Sequence, residues 1–262
     1  ETDGNDDGTG NFTVAYARLK DYTFRVTVRD PDGLTDLNQV RLVSGLNALL
    51  FTVEANVSHA SVKEVADPND LVRLNTAGTP VSNDGLCVAT VDFALKFNWT
   101  FGENDLKNVS ITAIDPLARQ VAERFDSVYR VRNELELFGN LTATAEFQGN
   151  LSDGDWVRGG EGITWSNLTV GYLGKPEVLP PPGEVNITIL GANGTWGMEP
   201  APGQKLSLKT NVPASTTPGD IHRLAIGRVP KECDRSNLTF LVRVDATPPT
   251  IPQNITVHAD SF

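Results

Sequence analysis

The chain is poor in cysteine and has no long apolar run. Its 262 residues include two cysteines, Cys87 and Cys233, too few for a small disulfide-built domain or a four-ligand structural zinc site. In an oxidising compartment the pair would form one bridge, and otherwise they are two separate thiols, so both interpretations stay open. No apolar run approaches the ~20 residues that a membrane-spanning helix needs, so no membrane span is predicted in this segment.

Histidine and clustered basic residues are also scarce. The three histidines, His59, His222 and His258, are scattered along the chain. The chain has no nucleophile elbow, zinc-protease motif or phosphate-binding loop, and no spacing selects a pair of acids for a glycosidase. The formal net charge is -11, and without Lys/Arg clusters we expect no nucleic-acid partner. We therefore expect a protein that is not an enzyme and binds no organic cofactor.

What the chain has in excess is the N-glycosylation sequon Asn-x-Ser/Thr, which occurs eleven times without a central proline. With 20 Asn and 37 Ser or Thr in 262 residues, chance would give roughly 3 such motifs. A bulky glycan can occupy only a surface position, so the motifs predict a secreted or cell-surface glycoprotein. The predicted sites are Asn11, Asn56, Asn98, Asn108, Asn140, Asn150, Asn167, Asn186, Asn193, Asn237 and Asn254.

The sequons coincide with the two-residue alternation of β-strands. In the stretch 93–101 the odd positions are Phe, Leu, Phe, Trp and Phe, whereas the even positions are Ala, Lys, Asn and Thr. Successive strand side chains point to opposite faces, so this stretch predicts a strand with Asn98 on its polar outer face. The same alternation places Asn108, Asn167 and Asn186 on predicted solvent faces.

Short alternating stretches separated by Gly/Pro turns predict an all-β chain of tandem β-sandwich modules. Residues 1–10 are acidic and glycine-rich and are predicted to be an arm or linker. Two sandwiches are predicted at 11–133 and 134–246. Residues 247–262 are predicted to be a proline-rich connector followed by the start of a further repeat.

Three segments resemble the Ig-like repeats of bacterial and archaeal surface proteins. One is 109–115 with the strand at 127–131, although the usual Ala-Gly-Asn loop is replaced here by Pro-Leu-Ala-Arg. The others are the junction 244–250, Val-Asp-Ala-Thr-Pro-Pro-Thr, and the loop 30–36, Asp-Pro-Asp-Gly-Leu-Thr-Asp. The resemblance implies Ig-like modules in an extracellular surface-layer, filament, stalk or adhesin protein. Its implied partners are copies of itself or other surface proteins.

Two binding sites are candidates on residue chemistry alone. Asp30, Asp32 and Asp36 present carboxylates at a spacing that suits structural calcium, and the alternative is a solvated turn. A second candidate is a platform of tryptophan rings on which sugars stack. It would make the chain an adhesin or the carbohydrate-binding module of a larger secreted protein. The alternative is that these tryptophans pack in the core. Those members are Trp156, Trp165 and Trp196.

Overall fold

The regular structure of the chain is almost entirely β. The computed structural model describes residues 13–45, 49–102, 105–191, 194–195, 198–200, 206–212, 222–228, 232–233 and 240–245. Apart from one turn of 3-10 helix, Leu34–Asp36, every regular element in these ranges is a strand. The all-β prediction is confirmed. Within the same ranges, no helix is long and apolar enough to cross a membrane.

The strands are short and follow one another closely along the chain. The first ten are β1 Thr13–Tyr16, β2 Tyr22–Arg29, β3 Gln39–Ser44, β4 Phe51–Asn56, β5 Ser61–Ala66, β6 Val72–Leu74, β7 Val81–Asn83, β8 Val88–Phe97, β9 Lys107–Ile114 and β10 Gln120–Arg132. The remainder are β11 Leu135–Phe138, β12 Thr142–Ala145, β13 Gly149–Leu151, β14 Trp156–Arg158, β15 Gly162–Tyr172, β16 Val185–Gly191, β17 Gly194–Thr195, β18 Met198–Pro200, β19 Leu206–Asn211, β20 His222–Arg228, β21 Glu232–Cys233 and β22 Arg243–Asp245.

The chain divides into two compact units. Unit 1 comprises Glu1–Glu136, Val170–Asn186 and Arg228–Cys233. Unit 2 comprises Leu137–Thr169, Ile187–Gly227 and Asp234–Phe262. The chain therefore enters unit 1 more than once, whereas the sequence predicts consecutive modules at 11–133 and 134–246. Those module boundaries stay a prediction.

Unit 1 is a sandwich with the strand order of an immunoglobulin variable-type domain. One sheet has the order β1-β10-β9-β3-β4-β5, and the other has β2-β8-β6 with β7 also on β8. The order β10-β9-β3-β4-β5 matches the immunoglobulin sheet G-F-C-C′-C″, with β1 added at its edge, and β2-β8-β6 matches B-E-D. The short first strand, β1, runs parallel to the last, β10. The Ig-like prediction is therefore confirmed by topology in this unit.

The core of unit 1 is built around Phe97 rather than an inter-sheet disulfide. Neither β2 nor β9, which occupy the positions of the antibody disulfide, contains cysteine. Instead, five aromatic rings lie with centroids 5.2–6.5 Å from that of Phe97, mostly tilted or edge-on. They belong to Tyr22, Phe24, Phe51, Phe101 and Tyr129. Such ring pairs stabilise a core beyond the area they bury.

The central strand ends earlier than the alternation predicts. β8 stops at Phe97, and the backbone N–H of Asn98 then donates to the carbonyl of Leu71 at 2.8 Å. Phe101 N–H donates to the Asn98 carbonyl at 3.1 Å and closes a turn. Asn98 is therefore turned inward and is only 6% exposed. Its predicted place on an outer strand face is wrong.

Cys87 has a free thiol in this structure, and the side chain of Cys233 lies outside the described residues, so their pairing stays a prediction. Cys87 lies just before β8 in a turn organised by Asp84. One Asp84 carboxylate oxygen accepts the backbone N–H groups of Leu86, Cys87 and Val88, each at 2.9 Å. These hydrogen bonds hold the pKa of Asp84 below its usual range. The turn is fixed by this carboxylate rather than by a covalent link.

The segment 170–186 is held in unit 1 by an ion pair. The Arg18 guanidinium donates from Nε and Nη2 to the two Glu184 carboxylate oxygens, both at 2.8 Å. The indole N–H of Trp99 donates to the same carboxylate at 3.0 Å. Hydrogen bonding from Arg18 lowers the pKa of Glu184 despite partial burial. The Tyr172 hydroxyl adds a hydrogen bond to the carbonyl of Ala17.

We predict that Glu184→Gln lowers the free energy of unfolding by about 1–3 kcal/mol at neutral pH, because it removes charge from a partly buried hydrogen-bonded pair. The folded-state pKa of Glu184 is depressed. Its stabilisation is therefore present above the unfolded-state pKa and is lost as pH falls through the folded-state value. Urea unfolding of both proteins at neutral pH and below about pH 4 should show the difference shrinking in acid.

The matched control is Arg25→Gln. Arg25 also forms a bidentate pair, with Asp92, but its side chain is 71% exposed. Exposed pairs contribute little to stability, so this variant should unfold like the wild type. An equal effect of the two substitutions would contradict the assigned role of the Arg18–Glu184 pair.

Candidate glycosylation face

Unit 2 presents a sheet face of hydroxyl and amide side chains. β12 lies between β13 and β15, and its sequence Thr-Ala-Thr-Ala alternates cleanly. Ala143 and Ala145 are buried, whereas Thr142 and Thr144 point outward. Small apolar residues on the inner face let the strand pack closely, and the threonines leave the outer face uncharged.

The strand register extends this face over three strands. Thr144 lies opposite Asn150 on β13 and opposite Thr164 on β15. Thr142 lies opposite Ser166. Residues that are directly opposite in an antiparallel pair share a face. We call this set, together with Asn140 and Asn167 at its end, the glycan face.

A β-bulge exposes Asn167 at the end of the glycan face. The register between β15 and β19 shifts between Trp165 and Leu168, and Asn167 adopts a positive φ of 61°. Trp165 and Leu168 can then both point into the core. Asn167 remains exposed and donates from Nδ2 to the Thr142 hydroxyl at 3.2 Å.

A glycine brings the neighbouring sequon to the same place. Gly139 has φ of 112°, and a Cβ added there would collide with the carbonyl oxygen of Asn167. Only glycine permits this approach. Asn140, the next residue, is exposed. Its sequon hydroxyl is that of Thr142, which accepts the hydrogen bond from Asn167. Two predicted glycosylation sites, Asn140 and Asn167, therefore lie side by side.

The third sequon on this face is Asn150. It is exposed on β13, as is its sequon hydroxyl at Ser152. Thr144 donates a long hydrogen bond to the Asn150 side-chain oxygen at 3.4 Å. Three sequon asparagines thus project from one face, in keeping with their predicted surface placement.

The described sequons of unit 1 are less accessible. Asn98 is the extreme case: its Nδ2, the atom a glycan would join, donates to the carbonyl and carboxylate oxygens of Asp70 at 3.0 and 3.1 Å. Asn56 and Asn108 are half-buried. Asn56 accepts the Ser58 hydroxyl at 2.9 Å, and Asn108 accepts the N–H of Ser127 at 2.7 Å.

The remaining sequon predictions lie outside what is described. The backbone of Asn186 belongs to β16, but its side chain is outside the described residues. Wholly outside them lie Asn11, Asn193, Asn237 and Asn254.

Two of the three predicted calcium ligands, Asp30 and Asp32, lie in a turn. The Asp30 carboxylate accepts the backbone N–H of Asp32 at 3.0 Å, and the Asp30 carbonyl accepts that of Gly33 at 3.2 Å. The Asp36 side chain is outside the described residues. Among those that are described, no three acidic, histidine or cysteine side chains are grouped to hold a metal ion. The calcium prediction gains no support from this loop, because its first carboxylate caps a turn.

The predicted tryptophan platform is also not assembled as expected. Trp165 is buried in unit 2 with its ring edge-on to Phe240, the centroids 5.3 Å apart. Trp196 lies outside the described residues. Trp156 is 47% exposed on β14. The guanidinium of Arg243, opposite it on β22, lies 5.7 Å from its ring centroid.

An exposed phenylalanine, Phe147, extends the surface formed by Trp156 and Arg243. The alternation of the sequence did not reveal its place there. Phe147 has the Arg158 guanidinium 5.9 Å from its ring centroid. The buried carboxylate of Glu161 accepts the backbone N–H groups of Phe147 and Arg158 at 2.8 and 2.9 Å. Arg158 and Trp156 are two residues apart on one face of β14. We call Phe147, Arg158, Trp156 and Arg243 the aromatic–arginine row.

Comparison with known proteins gives no family assignment. No family model matches the chain, and no curated protein matches it. Among solved structures, the extracellular portion of mouse CD200RLa is similar over 89% of this chain and 100% of its own, with 6% identity and a TM-score of 0.24. Murine CEACAM1b is similar over 88% and 96%, with 12% identity and a TM-score of 0.25. At these scores the Ig-like assignment rests on the strand order of unit 1.

We predict that Asn140, Asn150 and Asn167 carry glycans in protein from its native source, because all three are exposed in the folded chain. Asn98 should be unmodified, since its amide nitrogen is buried against Asp70. Mass spectrometry of proteolytic glycopeptides would measure the occupancy of each site. Full occupancy at Asn98 with none on the glycan face would contradict the assignment.

Proposed function

We propose that this chain is a non-enzymatic, N-glycosylated extracellular structural protein, a building block of a cell-surface layer, stalk or filament. The observation that carries the proposal is the convergence of Asn140, Asn150 and Asn167 on one exposed sheet face. Covalent glycans there would cover the outer face of unit 2. The role is mechanical, and the partners are further copies of the chain or other surface proteins.

The packing of unit 1 supports a mechanical role. Its two sheets are joined by the aromatic cluster around Phe97, and the segment 170–186 is fastened by the Arg18–Glu184 pair. Ring contacts of this kind resist separation of the two sheets, because pulling the sheets apart would lose the packing of the rings. Rigid modules suit a protein that transmits load along a surface layer or filament.

A second candidate function, an adhesin or carbohydrate-binding module, is favoured by one observation. The aromatic–arginine row combines exposed ring surface with two guanidinium groups in a chain of net charge -11. Sugar rings stack on aromatic side chains, and guanidinium pairs with carboxylate or sulfate. The row would therefore suit an acidic polysaccharide.

Electron microscopy of protein purified from its native source tests the proposal and separates it from the alternative. A two-dimensional lattice or a filament with density projecting from the glycan face is the expected result. Isolated particles would contradict the building-block role. If such particles also bound immobilised polygalacturonate, and Trp156→Ala abolished the binding, the carbohydrate-binding alternative would be favoured.

A further inference from the structure

Unit 1 has an open groove along one side of its sandwich. The groove has a volume of about 750 Å³ and lies between β2 of one sheet and β9 and β10 of the other. Apolar residues from both sheets line it, including Val26, Val28, Ile111, Val121 and Phe125. Charged residues, Arg25, Arg29 and Glu123 among them, also line it. An apolar lining on a sandwich is normally covered by the opposite sheet, so the groove requires an explanation.

Strand register shows that the exposed side chains of β10 belong to an interior face. Val121, Glu123 and Phe125 lie opposite Ala113, Ile111 and Val109 of β9. On the other side of β9, Ala113 and Ile111 lie opposite Val40 and Leu42, which are fully buried. Opposed residues share a face. Val121 and Phe125 therefore point toward the core layer, yet they are 70% and 44% exposed.

Val121 and Phe125 are exposed because the sheet that faces them is narrower than their own sheet. In the part of the chain that the structure describes, β2 is the edge of the sheet β2-β8-β6, whereas β10 has β1 beyond it in the opposite sheet. Among the described residues, β1 pairs only with Tyr129–Arg132, so the first half of β10 has no strand on that side. The first half of β10 thus extends past the edge of β2. We call this space, bounded by β2 and Val121–Phe125, the strand seat.

A single extended strand fits the strand seat. Its backbone would pair with the outer edge of β2, and every second side chain would cover Val121 and Phe125. Addition of a strand to an exposed sheet edge is a general mode of recognition. We therefore take the occupant to be one extended segment.

The sequence contains such a segment near its end. Residues 250–258, Thr-Ile-Pro-Gln-Asn-Ile-Thr-Val-His, follow the two predicted sandwiches and include the predicted start of a further repeat. Ile251, Ile255 and Val257 share one phase with Gln253, and the other phase holds Pro252, Asn254, Thr256 and His258. The β-branched side chains favour a strand. The sequon Asn254 falls in the opposite phase, so it would face solvent. The acidic arm 1–10 offers no aliphatic or aromatic side chain.

We propose that the strand seat of one copy accepts residues 250–258 of a second copy as an added strand beside β2. This inference rests on the proposed function, and it specifies the contact between copies. Each chain supplies one donor segment and one strand seat. Repetition of the same contact from copy to copy would produce an open, head-to-tail assembly. The aliphatic residues of the donor would remove Val121 and Phe125 from water.

Complementary variants of the 262-residue chain test the contact. The seat variant carries Val121→Asp and Phe125→Asp, and the donor variant carries Ile255→Asp and Val257→Asp. Sedimentation velocity should show each variant alone as a monomer and the wild type as assemblies. An equimolar mixture should stop at dimers, because one intact seat and one intact donor remain.

Leu117→Asp is the matched control. Leu117 is as exposed as Val121 and lies in the turn between β9 and β10, but it does not line the groove. This variant should assemble like the wild type. A synthetic peptide of residues 248–260 should bind the donor variant, and the seat variant at least about tenfold more weakly. Thermal unfolding of all variants checks that the fold is retained.

Each outcome decides the proposal. If the seat variant assembles, or if the mixture forms no dimers, the strand seat is not the contact between copies. The proposed building-block role would then have to use another surface. A wild-type chain that stays monomeric at every concentration would overturn both this inference and the proposed function. A monomer that binds no added peptide, with slow hydrogen exchange in β2, would show that the seat is filled within the same chain.

Discussion

Aromatic packing around Phe97 is the interaction on which unit 1 depends. It joins β8 to strands of both sheets and takes the place of the disulfide that joins antibody sandwiches. The cluster concentrates packing at one end of the sandwich, where Tyr22, Phe101 and Tyr129 meet. Phe24, Phe97 and Tyr129 of the cluster also line the groove, where the narrower sheet leaves Val121 and Phe125 exposed. The cluster therefore joins the two sheets and also lines the groove between them.

The two units manage exposed β-structure in different ways. In unit 2 the glycan face consists of hydroxyl and amide side chains and includes three sequon asparagines. Sugars attached there would keep this face in solvent. In unit 1 the edge beside β2 keeps apolar side chains at the surface. Proteins commonly protect such edges because they template association. An edge that is left open beside an apolar groove is instead suited to a contact that assembly requires.

Alternation predicted much of this fold, and its failures have physical causes. Residues 93–97 of the predicted strand 93–101 lie in β8, with Phe93, Leu95 and Phe97 fully buried as the alternation requires. The first half of β10 lacks a clear apolar alternation, because its interior phase combines Val121 and Phe125 with the charged Glu123. Asn98 was misplaced because its partners, Asp70 and Arg18, are distant in sequence. The surface placement of Asn140, Asn150 and Asn167 was predicted correctly, but their convergence depends on strand register and on Gly139.

Hydrogen exchange of native protein, compared between its assembled and dispersed states by mass spectrometry, tests the central claim most directly. Exchange should slow on assembly at the amides of β2 and of residues 120–125, where a strand is added. Exchange across the glycan face, from Asn140 to Ser166, should not change. Protection of the glycan face with no change in β2 would contradict the account, because it would place the contact on the surface assigned to sugars.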